Sequence, residues 1–161
     1  MCSACHLAEW TAVADYALPV QSPAWAPPGW VPPVFTDFTY DNLGIPANME
    51  FPFDPSAPPD LGLGGVLGDA TLEGMFKVMT LRNIGLTGPY AHNGYFETLK
   101  EIVHFYNTRD VPGSLPHGMD WPPAEVPYTV NVDELGNLGL SDNDEDALVE
   151  FLKTLSDGCV R

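Results

Sequence analysis

The sequence predicts a single, mainly α domain, residues 1–161, interrupted by long irregular proline-rich loops, and three observations carry that reading. The first is the distribution of proline: 11 of the 17 prolines fall between Pro19 and Pro59. Proline lacks an N–H donor and locks its own φ, so neither a long helix nor a central strand runs there. The stretch also carries Trp25, Trp30, Phe35, Phe38, Tyr40, Phe51 and Phe53. So many aromatics predict an ordered, extended loop wrapped around something apolar rather than a solvated spacer. The second observation is a capping box, Thr98 with Glu101 three residues later, followed by Leu99, Ile102, Val103 and Tyr106 at i, i+3, i+4, i+7 spacing. It predicts a helix over 99–107 with those four residues on one buried face. The third is a helix opening at Ser141 with an acidic first turn that suits the helix dipole. It presents Leu148, Phe151, Leu152 and Leu155 on one side before Gly158 stops it. The intervening LGLGGVLGDA reads as turns, no repeat occurs, and no strand pattern persists beyond a few residues.

Charge narrows the function. With 22 acidic and 6 basic side chains the formal charge is −16 and the pI about 4.1. Nucleic acid is excluded as a natural partner, because contact with a phosphate backbone or an anionic membrane needs a Lys/Arg footprint. A positively charged protein or a small redox partner is compatible with this charge. No apolar run is long enough to span a membrane.

The sharpest chemical signal is Cys2-Ser3-Ala4-Cys5-His6, the C-x-x-C-H pattern of c-type haem attachment. One helical turn sets two thiols against the two haem vinyl groups, and the adjacent imidazole of His6 reaches the iron from the same side. Zinc would want four Cys or His ligands, and the only other cysteine, Cys159, stands alone far away. A thioredoxin-like pair would want a βαβ context, which the proline-rich sequel denies. The expectation is one covalent haem c in a cytochrome c-like domain. Such attachment follows export, so the expected location is periplasmic or extracellular. No charged and apolar leader precedes Cys2, so the chain reads as a trimmed form, a fragment or a separately encoded half. Cys159 is an odd thiol, a free tail residue or an intermolecular link.

A haem iron held by His6 leaves a sixth position. Met49, Met75, Met79, Met119, His92, His104, His117 and several tyrosines are candidates, and spacing does not choose among them. Tyr106 draws attention because its hydroxyl, on the buried face of the capped helix, needs a partner. Buried propionates need cations, and Arg82, with its bidentate fork, suits them better than Lys77. Two weaker patterns carry nothing further. Gly62, Gly64, Gly65 and Gly68 miss the spacing of a nucleotide loop. Asp142, Asp144 and Asp146 lack the glycine and distal Glu of a calcium loop and read as a helix start.

Four segments distributed from Cys2 to Gly158, CSACH, FTDFTYDNLGIPAN, FKVMTLRNIGLTGPYAHNGYFETLKEIVHFYN and DALVEFLKTLSDG, resemble the C-terminal haem domain of the bacterial dihaem cytochrome c peroxidases and their MauG-type relatives. The resemblance implies an electron-relay domain, with peroxide chemistry on an N-terminal haem domain absent here. It implies Cys2 and Cys5 as the haem attachment points and His6 as proximal ligand. Tyr106 stands where the peroxidases carry a methionine ligand and MauG-type members a tyrosine; a phenolate favours ferric iron and lowers the potential. The resemblance further implies a calcium ion at the domain junction, held partly by the backbone carbonyls of Thr87 and Pro89. Met79 departs from the proline usual in the family and stays a rival ligand. The implied partners are the N-terminal haem domain or another cytochrome chain, and a redox protein donor. A second reading is a stand-alone monohaem carrier, or a subunit of a larger cytochrome assembly, because the chain holds no second C-x-x-C-H.

Overall fold

A computed structural model describes residues 34–50 and 57–156, together with 11–12, 24 and 28–31. Cys2, Cys5, His6, Gly158 and Cys159 lie outside the described residues, as does much of the proline-rich stretch, Trp25, Phe51 and Phe53 included. Among the described residues the architecture is three helices joined by irregular segments and two small antiparallel pairings. In order these are β1 (Thr11–Ala12), β2 (Trp30–Val31), β3 (Tyr40–Asp41), α1 (Gly62–Leu67), β4 (Phe76–Lys77), α2 (Leu99–Thr108) and α3 (Asp142–Thr154). β1 pairs with β2, and β3 with β4 in the register Tyr40 to Lys77 and Asp41 to Phe76.

α2 begins where its capping box predicts. Thr98 Oγ1 accepts the Glu101 N–H at 3.2 Å, and the Glu101 carboxylate accepts the Thr98 N–H at 2.8 Å. Two of the orphan donors of the first turn are thereby satisfied. α3 starts the same way, with Ser141 as N-cap and Asp144 returning the bond. The Asp144 carboxylate serves the cap, as an acidic helix start requires. α3 ends at Thr154 with Leu155 as its cap, ahead of the stop expected at Gly158.

α1 corrects the reading of LGLGGVLGDA as turns alone. Six residues coil into a helix, and Gly68 closes it in the left-handed region at φ 68°, its N–H reaching the Gly64 carbonyl. The glycines that argue against a helix are there for contact: a Cβ on Gly64 would lie 2.4 Å from the Glu73 nitrogen. Close backbone approach outweighs the propensity penalty of about 1 kcal/mol.

The predicted face of α2 is split. Leu99 and Val103 are buried in the core, whereas Ile102 and Tyr106 are half-buried and line a cavity. Phe105, outside the predicted face, is the most buried side chain of the helix at 0% exposure. It packs against Trp121 at 5.2 Å and Phe96 at 5.1 Å between ring centroids. α2 is covered on more than one side, so a single-stripe reading undercounts what it buries. On α3 the buried positions are Glu145 and Val149, with Leu148 and Leu152 half-buried against the core, while Phe151 is 48% exposed and meets the Phe35 ring edge-on. The face is rotated from the predicted one because α2 offers donors, not only hydrocarbon, at the contact.

Candidate functional site

A cavity of about 710 Å³ opens beside α2, a size ordinary for a cofactor or large ligand. Five stretches wall it: 41–45, 74–82, 84–92, the Ile102–Tyr106 side of α2, and 134–138. Each has a local reason to be where it is. The β3–β4 pairing joins the first two, extended by Val78 N–H to the Thr39 carbonyl at 2.9 Å and by the Thr36 hydroxyl to the Val78 carbonyl at 2.5 Å. Asn42 is buried and braces the 41–45 stretch, donating to the Val126 carbonyl and to Thr129 Oγ1, both at 2.9 Å. A 3-10 turn over Ile84–Leu86 carries the third wall. It is tied to the end of α3 by Asn83 N–H to the Leu155 carbonyl at 3.0 Å, and to the core by the Tyr90 hydroxyl donating to the Ile84 carbonyl at 3.0 Å. The last wall is sewn to α2: Gly136 N–H donates to the Tyr106 carbonyl at 2.7 Å and Leu138 N–H to the Asn107 carbonyl at 3.0 Å. Gly136 adopts φ 99°, and a Cβ there would lie 2.0 Å from Asp110 Oδ2. Only glycine fits.

The lining is mostly hydrocarbon, with Leu43, Ile45, Val78, Ala91, Leu135 and Leu138 among it, and its polar groups are few. Arg82 and Lys77 bring positive charge, Arg82 over the Phe35 ring at 5.8 Å and Lys77 over Phe38 at 5.0 Å. Both contacts are within cation–π reach. Asp41 and Glu134 bring negative charge, and the Asn131 amide bridges them at 2.9 Å each. Burial pushes the Asp41 carboxyl above its usual range, against the lowering effect of that Asn131 bond. Burial likewise raises the phenol of Tyr90.

The cavity brings together residues the sequence singled out separately. Arg82, Lys77, Thr87, Pro89, Tyr106, Met79 and His92 all line it. Met79 is 64% exposed there. His92 stacks on Phe76 at 3.7 Å and bonds Glu125 through Nε2 at 3.2 Å. The remaining sixth-ligand candidates stand elsewhere. Met49 and Met119 are exposed, and Met75, His104 and His117 do not line the cavity. His104 is occupied on both ring nitrogens, Nδ1 facing Glu145 at 2.9 Å and Nε2 the Ser114 carbonyl at 3.2 Å. Among the described residues no group of three or more His, Cys, Asp or Glu side chains gathers as a metal site.

Sequence reasoning missed Glu145. Its side chain is 1% exposed and holds three partners on α2: Asn107 Nδ2 at 2.6 Å, His104 Nδ1 at 2.9 Å and Lys100 Nζ at 3.0 Å. Burial opposes its ionisation, but hydrogen bonds from Asn107, His104 and Lys100 outweigh it and hold the carboxyl below its usual range. Nothing in the sequence separates it from the solvated acids around it. Asp41 and Glu134 were also passed over, each being one acid among 22.

No protein-family model matches the chain. The methylamine utilization protein MauG of Paracoccus denitrificans (strain Pd 1222) is 39% identical over 140 residues, which cover 76% of this chain and 35% of that protein. The cytochrome-c peroxidase IdrP2 of Pseudomonas sp. (strain SCT) is 35% identical over 117 residues, 73% of this chain and 25% of that protein. The chain therefore spans about a third or less of the length of these relatives. Among solved structures, the diheme peroxidase BthA from Burkholderia thailandensis E264 aligns with a TM-score of 0.68 at 29% identity, covering 98% of this chain and 39% of its own. A MauG-like protein associated with microbial copper homeostasis aligns with a TM-score of 0.56 at 25% identity, covering 81% of this chain and 36% of its own. With relatives of both names matching most of this chain, and the diheme peroxidase fold running through it, the chain belongs to the family of the MauG proteins and dihaem cytochrome c peroxidases.

Proposed function

We propose that the chain is a haem c electron-transfer domain, the electron-relay half of a dihaem cytochrome c peroxidase or MauG-like oxidase. The observation that carries this is the cavity beside Tyr106, considered together with the Cys2-x-x-Cys5-His6 motif in the sequence of the same chain. The residues present fit a haem. The volume is adequate, the walls are mostly hydrocarbon, two cations stand on the lining as there are two propionates, and of the two phenols there Tyr90 is bonded to the Ile84 carbonyl, which leaves Tyr106 as the phenol assigned to the iron. Cys2 and Cys5 would carry the thioether bonds, His6 would be the proximal ligand and Tyr106 the distal one, with Met79 the rival. When bound, the haem supplies a one-electron iron centre whose potential a phenolate ligand lowers.

The chain's own residues do the rest. Tyr106 Oη would hold the iron as a phenolate, its proton lost to solvent, and the low-dielectric walls would make that charge more costly unless a cation meets it. Arg82, as a planar donor fork, and Lys77, both on the cavity lining, would offset the propionate charge. Leu43, Ile45, Val78, Leu135 and Leu138 keep water away, so fewer solvent dipoles reorganise when an electron moves. The backbone carbonyls of Thr87 and Pro89, both cavity-wall residues, are the calcium ligands this chain would offer to a junction with a second haem domain. Peroxide turnover belongs to that second domain. The donor is a redox protein whose positive face suits a charge of −16. The location is periplasmic or extracellular; among the described residues no helix is long and apolar enough to cross a membrane.

The first experiment is a haem stain on a denaturing gel with the intact mass of the protein from its native source. Retained haem stain supports the reading, and its absence overturns it. A mass of 17.5 kDa plus one haem would favour the stand-alone carrier, and a much larger mass with two haems the dihaem enzyme. In haem-loaded protein, Tyr106→Phe should convert the ferric spectrum to that of a five-coordinate or water-bound haem, and an unchanged spectrum sinks the ligand assignment.

A further inference from the structure

Glu145 stands out because it does what a buried side chain at a helix contact rarely does. A carboxylate taken out of water costs several kcal/mol before its partners repay it, and apolar residues often hold such a joint equally well. Its partners Lys100, His104 and Asn107 sit at i, i+4 and i+7 on one face of α2. The grip extends beyond the two helices through Asn107. One hydrogen of the Asn107 amide goes to Glu145 Oε1 at 2.6 Å, and the amide also donates to the Leu140 carbonyl at 3.0 Å. Asn107 Oδ1 in turn accepts the Leu140 N–H at 3.0 Å. The carboxylate, which accepts only from the NH₂ end, and the Leu140 backbone thus hold the amide in one orientation, with the shortest of the three bonds going to Glu145. In that orientation the 136–140 stretch lies against α2, with Gly136 and Leu138 bound to the carbonyls of Tyr106 and Asn107. Leu135, Leu138 and Tyr106 all line the cavity.

We propose that Glu145 is a positioning residue for Tyr106, acting through Asn107 and the 136–140 stretch to set where the phenol stands in the cavity. The proposal rests on the reading of Tyr106 as a haem ligand. It gives the buried carboxylate a geometric role: a ligand displaced by a fraction of an ångström changes bond strength far more than fold stability.

The test uses the haem-loaded protein and reads ferric optical and electron paramagnetic resonance spectra with the reduction potential. Tyr106→Phe establishes the spectrum without the phenolate. Glu145→Gln, which puts a donor where an acceptor stood, should lose part of the phenolate signature and raise the potential toward the Tyr106→Phe value. Glu145→Asp guards against a variant that merely fails to fold: it keeps a carboxylate for the donors of α2 but shortens its reach, so it should fold and show a smaller shift in the same direction. In the Tyr106→Phe background neither change at Glu145 should move the spectrum further. A wild-type spectrum in both Glu145 variants overturns the proposal alone, as does an equal shift in the Tyr106→Phe background. A Tyr106→Phe spectrum like wild type overturns the ligand reading and this proposal with it.

Discussion

The α2–α3 joint is held by side chains, the 76–91 wall of the cavity largely by main chain. At the joint, Glu145, Val149, Val103 and Asn107 are buried, and one carboxylate gathers three donors. Along the wall, two-residue strands and a 3-10 turn carry the shape, and Met79 and Leu86 are 64% and 58% exposed. The difference teaches where this fold keeps its stability and where it can vary its chemistry. A backbone-held wall tolerates new side chains, because its bonds do not depend on them. A side-chain-held joint does not, since Glu145 Oε1 and the Asn107 amide there depend on specific partners.

That contrast can be broken at several strengths. Phe105→Ala removes the most buried ring of α2 and should destabilise by about 3–5 kcal/mol, read from the midpoint of denaturant unfolding. A loss near 1 kcal/mol would mean that the core lies elsewhere. Glu145→Ala leaves its donors unmatched. Because solvent reaches Lys100 and His104, at 39% and 28% side-chain exposure, the loss should be about 3 kcal/mol at most.

Acid sharpens the same point. Folded Glu145 binds its proton less readily than the unfolded chain, whose value is near 4.5, so the unfolded state takes up more protons and stability rises with pH. The contribution is complete above that value and fades as pH falls through the lower folded one. Asp41 works in the opposite sense, its raised carboxyl costing stability as pH rises from about its ordinary 3.8. Unfolding curves of wild type and Glu145→Gln should therefore converge in acid. Parallel curves would remove Glu145 from the acid response.

Smaller effects complete the ranking. Thr98→Ala deletes the α2 capping box and should cost about 1 kcal/mol in the same unfolding measurement. On the wall, Met79→Leu and Arg82→Gln should change stability by no more than about 0.5 kcal/mol. Arg82→Gln should nevertheless shift the potential of the haem-loaded protein, and a shift absent there would release Arg82 from the proposed propionate role.

Much of this was readable from local sequence. A capping box involves residues three apart and marks the helix start at Thr98, and the acidic first turn marks the one at Ser141. The C-x-x-C-H motif is likewise a matter of five neighbouring residues. Less legible was α1, where four glycines in seven residues hide a helix whose reason is the Glu73 backbone packed against Gly64. The two faces of α2 were merged into one stripe, because periodicity records which residues are apolar and not how many neighbours surround them. Phe105 and Tyr106 are adjacent aromatics in the sequence; one fills the core and the other lines the cavity.

The sequence by itself determined the charge, the helix starts, the attachment motif and the family likeness, since each is written in composition or within a few residues. Only the tertiary structure decided that Arg82, Tyr106, Thr87 and Pro89 share one cavity and that Glu145, alone in its acidic turn, is withdrawn from water. The reason is that burial and convergence depend on partners far apart in the chain. His104 and Glu145 lie 41 residues apart and meet at 2.9 Å, and a carboxylate's environment is set by what packs over it, not by its neighbours in sequence.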